Sequence, residues 1–134
     1  MICTLIQLTW GILQNIIGLI IFLYCRFRGY TLLRFRHSLV TVWKHPDSAS
    51  LGMFIFLGSP TTDILSHEYG HTIQSLILGP LYFPIIAIPS MIWCNSRRFR
   101  RSRQRGIYRY SDFYPERWAN RLGEKYTRLR AIDY

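Results

Sequence analysis

At its centre the chain reads Thr61-Thr-Asp-Ile-Leu-Ser-His-Glu-Tyr-Gly-His-Thr-Ile-Gln-Ser-Leu-Ile-Leu-Gly-Pro80. On a helix, residues four apart lie one turn above each other, so His67 and His71 can both direct an imidazole nitrogen at one metal ion. Glu68 follows His67 directly, which places its carboxylate beside an open coordination position. The stretch therefore predicts a helix with a metal site and a general base.

The sequence also predicts where this helix begins and ends, and it suggests a role for one of its polar residues. Hydroxyl residues at 61 and 62 are typical of a helix start, and Gly79-Pro80 of a helix end. Asp63 lies one turn before His67, where it could accept the second ring N–H and fix the tautomer. The same acid could instead simply favour the helix N-terminus, and both interpretations remain open.

Two uncharged runs flank the motif. Residues 1–25 and 72–96 contain no charged side chain, and each is long enough to cross a hydrocarbon layer of about 30 Å. The first run predicts a transmembrane helix, with Arg26 after it marking a cytoplasmic exit. The second is broken by prolines, so residues 61–96 are predicted to form the metal-binding helix and a re-entrant apolar hairpin.

Positive charge is the strongest compositional bias. Lys and Arg outnumber Asp and Glu by 17 to 7, and the segment Arg97–Arg109 contains seven arginines and no acid. Beside apolar segments, such a block indicates binding to anionic lipid headgroups. Aromatic residues interleaved with the arginines make nucleic acid a competing but less favoured partner.

The remaining segments predict smaller elements. Residues 26–60 contain short β-branched and aromatic stretches, which favour a small antiparallel hairpin or sheet on the cytoplasmic side. Residues 97–134 combine the basic segment with a C-terminal helix. On that helix Glu116 and Asn120 share a face, so Glu116 is the candidate third ligand and Asn120 could orient an imidazole.

Taken together, these features predict a mainly α membrane protein with a small antiparallel β element, organised as a single integrated domain. One N-terminal transmembrane helix, the H-E-x-x-H helix with its re-entrant hairpin and a C-terminal helix carrying Glu116 would form it. The expected location is the cytoplasmic membrane.

The motif His67-Glu68-Tyr69-Gly70-His71 followed by Glu116-Arg-Trp-Ala-Asn120 resembles the signature of membrane zinc endopeptidases of the CAAX prenyl-protease and heat-shock protease type. The longer string that includes both motifs also resembles a group of small bacterial membrane proteins. The first resemblance implies that His67, His71 and Glu116 bind Zn²⁺ and that Glu68 is the base. Asn120 stands where that family has an acid.

The leading hypothesis is a membrane zinc metallopeptidase that hydrolyses peptide bonds of peptide or membrane-protein substrates near the cytoplasmic face. The alternative is a non-catalytic, zinc-stabilised membrane adaptor. A third interpretation, an arginine-rich lipid or nucleic-acid binder, would act through residues 97–110 regardless of the metal.

Overall fold

The computed structural model describes Leu5 and residues 9–132 of the chain. The first half contains helix α1 (Ile12–Phe27) and strands β1 (Thr31–Phe35), β2 (Ser38–Val42), β3 (Ala49–Leu51) and β4 (Phe54–Leu57). The second half is helical, with α2 (Thr62–Leu78), a 3₁₀ turn (Gly79–Leu81), a π-helical turn (Phe83–Ala87), α3 (Ile88–Asn95), α4 (Arg97–Gln104), a second 3₁₀ turn (Tyr110–Asp112) and α5 (Tyr114–Thr127).

The four strands form one mixed sheet in the order β1-β2-β4-β3. Strands β1 and β2 are antiparallel, as are β3 and β4, whereas β2 and β4 are parallel. The antiparallel strands β3 and β4 are joined at Gly52, whose positive φ of 61° permits a tight turn between Leu51 and Phe54. Because the chain reverses there, β3 takes the sheet edge and β4 runs alongside β2.

The predicted fold class, a mainly α membrane protein with a small antiparallel β element, is wrong. The sheet is mixed and has four strands. Over the described residues, no single helix is both long and apolar enough to span a membrane, and Thr62–Leu81 with Phe83–Asn95 passes that test only as a pair bent by 120°. Helix α1 has 16 residues, and residues 1–4 and 6–8 of the predicted span lie outside the described part.

Helices cover both faces of the sheet, because its strands alternate their buried side chains. Val40, Ile55 and Leu57 point to one face, where they pack with Tyr69 and Ile73 of α2. On the other face, the cluster of buried apolar residues is Phe54, Phe56 and Cys25 of α1. Helix α2 thus lies on the sheet, and its residues from Ser66 to Ser75 are buried.

A glycine on each helix lets α2 and α5 approach closely. A Cβ atom at Gly70 would lie 1.9 Å from the carbonyl oxygen of Ala119, and one at Gly123 would lie 2.1 Å from that of Ser66. Both distances are far below van der Waals contact, so only glycine fits at either position. This close contact brings the first turn of α5 over the turn of α2 that carries His67 and His71.

Gly70→Ala is therefore expected to destabilise the protein by about 2 kcal/mol or more, since the added methyl group meets backbone rather than a movable side chain. Thermal unfolding followed by circular dichroism measures the change. The control is Arg121→Ala, at an exposed position of α5, which should unfold close to the wild-type temperature. Equal melting temperatures for Gly70→Ala and the wild type would contradict the close helix contact.

Candidate metal centre

Three buried side chains from two helices converge on one point. His67 and His71 lie one turn apart on α2, and Glu116 lies in the first turn of α5. One carboxylate oxygen of Glu116, Oε2, is 3.1 Å from Nε2 of His67 and 3.4 Å from Nε2 of His71. One ligand atom from each residue lies within 4.8 Å of the others, so the group could hold a metal ion.

Each imidazole is oriented by a carboxamide on its other nitrogen. Nδ1 of His67 is 2.6 Å from Oδ1 of Asn120, and Nδ1 of His71 is 2.7 Å from Oε1 of Gln74. Gln74 in turn donates its amide to the carbonyl of Pro115 at 2.8 Å. Since an amide oxygen can only accept, each ring carries a proton on Nδ1 and turns Nε2 toward the convergence point.

Of the two predicted positioning residues, the structure brings Asn120 to the site and leaves Asp63 away from it. Both nitrogens of His67 already face other groups, Asn120 and Glu116. A hydrogen bond from the hydroxyl of Thr61 holds the pKa of Asp63 below its usual value. Asp63 therefore serves the N-terminus of α2, which is the simpler of its two interpretations.

The pKa of Glu116 depends on the two neighbouring imidazoles, and the pKa of His71 depends on Glu116. Burial alone would raise the pKa of Glu116, but the imidazoles of His71 and His67 hold that pKa well below its usual range. In the same way burial lowers the pKa of His71, while the facing carboxylate of Glu116 outweighs it and raises the pKa to about 9. The pocket thus keeps its carboxylate ionised, as a cation ligand requires.

Glu68 lies next to the three candidate ligands and lines both cavities over them. The residue is 5% exposed, and its Oε2 has no hydrogen-bond partner among the described residues. Burial raises the pKa of Glu68, and the nearby imidazoles of His67 and His71 oppose that shift. A carboxylate with a raised pKa and a free oxygen is suited to taking up and releasing a proton.

The site opens into a cleft made of two adjoining cavities, of about 480 and 360 Å³. Both are lined by His67 and Glu68, so the cleft passes directly over the candidate centre. The smaller cavity lies between edge strand β3 on one side and helix α3 on the other. Residues shared by the two cavities are Asp47, Ser48, His67, Glu68, Cys94 and Tyr110.

Gln74 and two tyrosines are site residues that the sequence did not single out. Tyr82 is 4% exposed and donates to the Ser50 carbonyl at 3.4 Å, and the ring of Tyr110 lies 6.2 Å from that of His67. Burial and the neighbouring carboxylates raise the pKa of both tyrosines, so both keep their protons. Gln74 could have been found from its position three residues after His71, whereas no sequence signal separates these tyrosines from the other seven.

The donor set fits a transition metal better than Ca²⁺ or Mg²⁺. Two neutral imidazole nitrogens and one carboxylate are the ligands typical of zinc and its neighbours, whereas the alkaline-earth ions prefer oxygen alone. Three protein ligands would leave a coordination position open for a further ligand.

Comparison of the chain with protein-family models, with curated proteins and with solved structures finds no match. The geometry of the site is therefore the basis on which its chemistry is assigned.

Proposed function

We propose that this chain is a zinc-dependent peptidase. The observation that carries the proposal is the buried group of His67, His71 and Glu116 at the floor of an open cleft, with the unpartnered carboxylate oxygen of Glu68 beside it. A structural zinc site would need a fourth protein ligand and no cleft. Over the described residues, the group that could hold a metal has three members.

A peptide substrate is favoured by the strand that borders the cleft. Strand β3 pairs with β4 along one side only, and no other described strand covers its outer edge, where an extended chain would replace the Tyr82 hydroxyl at the Ser50 carbonyl. Ala49, Ser50 and Leu51 of this strand line the smaller cavity together with His67, His71 and Glu68. Strand addition there would align a peptide bond with the site by main-chain hydrogen bonds.

Each residue of the site has its own role in the proposed hydrolysis. Zinc held by His67, His71 and Glu116 would supply Lewis-acid polarisation of the scissile carbonyl. Glu68 takes a proton from the attacking water and passes it to the leaving amine. Asn120 and Gln74 keep both imidazoles in the tautomer that leaves Nε2 free. Tyr82 and Tyr110 keep their protons and line the cleft, so we take them as the candidate donors to the developing negative charge.

Removal and return of the metal tests this proposal. The purified chain is screened against a library of unstructured peptides, then stripped with a chelator and reconstituted with either Zn²⁺ or Mg²⁺. We expect cleavage to disappear on stripping and to return in proportion to bound Zn²⁺, but not with Mg²⁺, which prefers oxygen ligands. Stoichiometric zinc without turnover on any peptide would instead support the alternative, a zinc-stabilised adaptor.

We also propose that helix α4 binds anionic lipid headgroups. Four of its arginines, Arg97, Arg98, Arg100 and Arg101, are exposed, and the helix contains no acid. The preceding helix α3 exposes Ile88, Met91 and Ile92, each at least 49% accessible. Adjacent positive and apolar surfaces match a lipid surface better than they match nucleic acid.

Changing those four arginines to glutamine should weaken binding to vesicles that contain phosphatidylglycerol at least tenfold, because each basic side chain near such a surface contributes about 1 kcal/mol. Co-sedimentation at two salt concentrations measures the change, with phosphatidylcholine vesicles as the uncharged control. Stronger binding to duplex DNA than to the charged vesicles would favour the nucleic-acid interpretation instead.

A further inference from the structure

We propose that the C-terminal segment, residues 128–132, is a positioning element of the metal centre, because the backbone carbonyl of Ile132 orients Asn120 and Asn120 orients His67. The inference rests on the proposed metal site and deepens it. It assigns a role to a segment beyond the last helix, where the sequence contains no motif.

The direction of each hydrogen bond follows from chemistry alone. A backbone carbonyl can only accept, so the group of Asn120 that lies 2.6 Å from the Ile132 oxygen must be the Nδ2 amide. Its Oδ1 is then the atom that faces Nδ1 of His67, at 2.6 Å. Nδ1 must donate to it, which leaves the lone pair of Nε2 for a metal.

The carbonyl of Ile132 is held in place by contacts along the whole segment. Ser66 of α2 donates to the carbonyl of Leu129 at 3.2 Å and is 3.0 Å from the hydroxyl of Thr127. The amide of Ala131 donates to the carboxylate of Glu124 at 3.1 Å. The Ile132 side chain is 6% exposed. The segment is therefore packed against both helices that carry the ligands.

The second imidazole provides an internal comparison. The carboxamide that orients His71 belongs to Gln74, and its amide donates to Pro115, inside α5 and next to Glu116. That arrangement involves no residue beyond the helix. Loss of the C-terminal segment should consequently disturb His67 and leave the orientation of His71 intact.

The same geometry explains why residue 120 is an amide. An aspartate there could accept from His67, but its second oxygen would face the Ile132 carbonyl, and two acceptors at that distance repel. The C-terminal segment thus selects asparagine at this position. Without the segment, the preference should reverse, because a carboxylate accepts from an imidazole more strongly than an amide does.

Two truncated chains test the proposal. One ends at Arg130 and lacks the Ile132 carbonyl, while its control ends at Ile132 and keeps an acceptor there. Zinc affinity is measured by competition with a chromophoric chelator, and circular dichroism checks folding. We expect the chain ending at Arg130 to bind zinc about 10- to 100-fold more weakly than the full chain, the usual effect of losing an outer partner, and the control to bind as the full chain does.

Asn120→Asp is then made in the full chain and in the chain ending at Arg130. In the full chain the substitution should weaken zinc binding at least tenfold. In the short chain it should strengthen zinc binding relative to the same short chain with asparagine at position 120. A merely structural segment would not produce this reversal. The full-length variant alone tests the idea if the short chain does not fold, because equal or tighter binding by full-length Asn120→Asp would overturn it.

The same measurements distinguish a failure of the proposed metal site from a failure of this inference. Full-length wild-type chain that binds no zinc would remove the metal site and this inference with it. Tight zinc binding that is unaffected by truncation at Arg130 would remove the inference alone.

Discussion

Glu68→Gln is expected to abolish peptide hydrolysis while the chain keeps its zinc. Glutamine has the shape of glutamate but cannot take a proton from water, so the loss isolates proton transfer from packing. A positioned general base contributes typically 10²- to 10⁴-fold, and we expect kcat/KM to fall by at least about 100-fold.

The surroundings of Glu68 make this variant informative. The carboxylate is buried, and it is not one of the three residues that converge as candidate ligands. Neutralising it should therefore leave the metal content unchanged. Zinc per chain is measured by elemental analysis in parallel with turnover of the peptide that the wild type cleaves best.

Asp63→Asn is the matched control, because Asp63 lies in the first turn of α2, is not one of the converging residues and undergoes the same change of charge. Its activity should equal that of the wild type. Turnover by Glu68→Gln within threefold of the wild type would show that this carboxylate is not the base. Loss of zinc together with activity would show instead that the residue helps to hold the metal.

Glu116→Ala is expected to lose zinc. The residue supplies the only carboxylate among the three converging side chains, and one of its oxygens lies within 3.4 Å of both imidazoles. Because loss of an outer partner already costs 10- to 100-fold in affinity, removal of a direct ligand should weaken zinc binding by more than about 100-fold.

Glu116→Gln distinguishes the effect of losing the carboxylate from the effect of the cavity that alanine leaves behind. Glutamine fills the same space, so a loss of zinc in both variants reports on the carboxylate itself. Chelator competition measures the affinity, and thermal unfolding of the metal-free chains shows how far each variant is destabilised. Both variants should also lose peptidase activity at limiting zinc.

Asp63→Asn again serves as the control for charge, because Asp63 is not one of the converging residues. Zinc bound as tightly by Glu116→Ala as by the wild type would exclude this residue as the third ligand. The structure would then contain two imidazoles without a completing donor, and the proposed chemistry would not stand.

Part of the candidate site could be predicted from the sequence because it lies within one helix. His67, Glu68 and His71 take their relative positions from helical periodicity alone, so their spacing is informative without any tertiary contact. Glu116 and Asn120 could be proposed as a pair on one face of a second helix for the same reason. Asp63 illustrates the limit of such reasoning, since a residue one turn away still needs a free ring nitrogen to contact.

The fold was less predictable, because strand pairing depends on contacts between distant segments. Residues 51–57 are mostly apolar and suggest a single strand, yet the turn at Gly52 leaves Leu51 at the end of the edge strand β3 and starts the central strand β4 at Phe54. Apolar runs were similarly ambiguous. The uncharged run of residues 72–96 is divided among the end of α2, two short turns and α3, and only its α2 part is packed between the sheet and α5.

The sequence by itself determined that two imidazoles and a carboxylate share one helical turn, because four-residue spacing on a helix admits no other arrangement. Tertiary structure decided which carboxylate completes the group and which amides orient the rings. Those partners lie between 45 and 53 residues away along the chain, apart from Gln74. They come together only because Gly70 and Gly123 allow two helix backbones to touch.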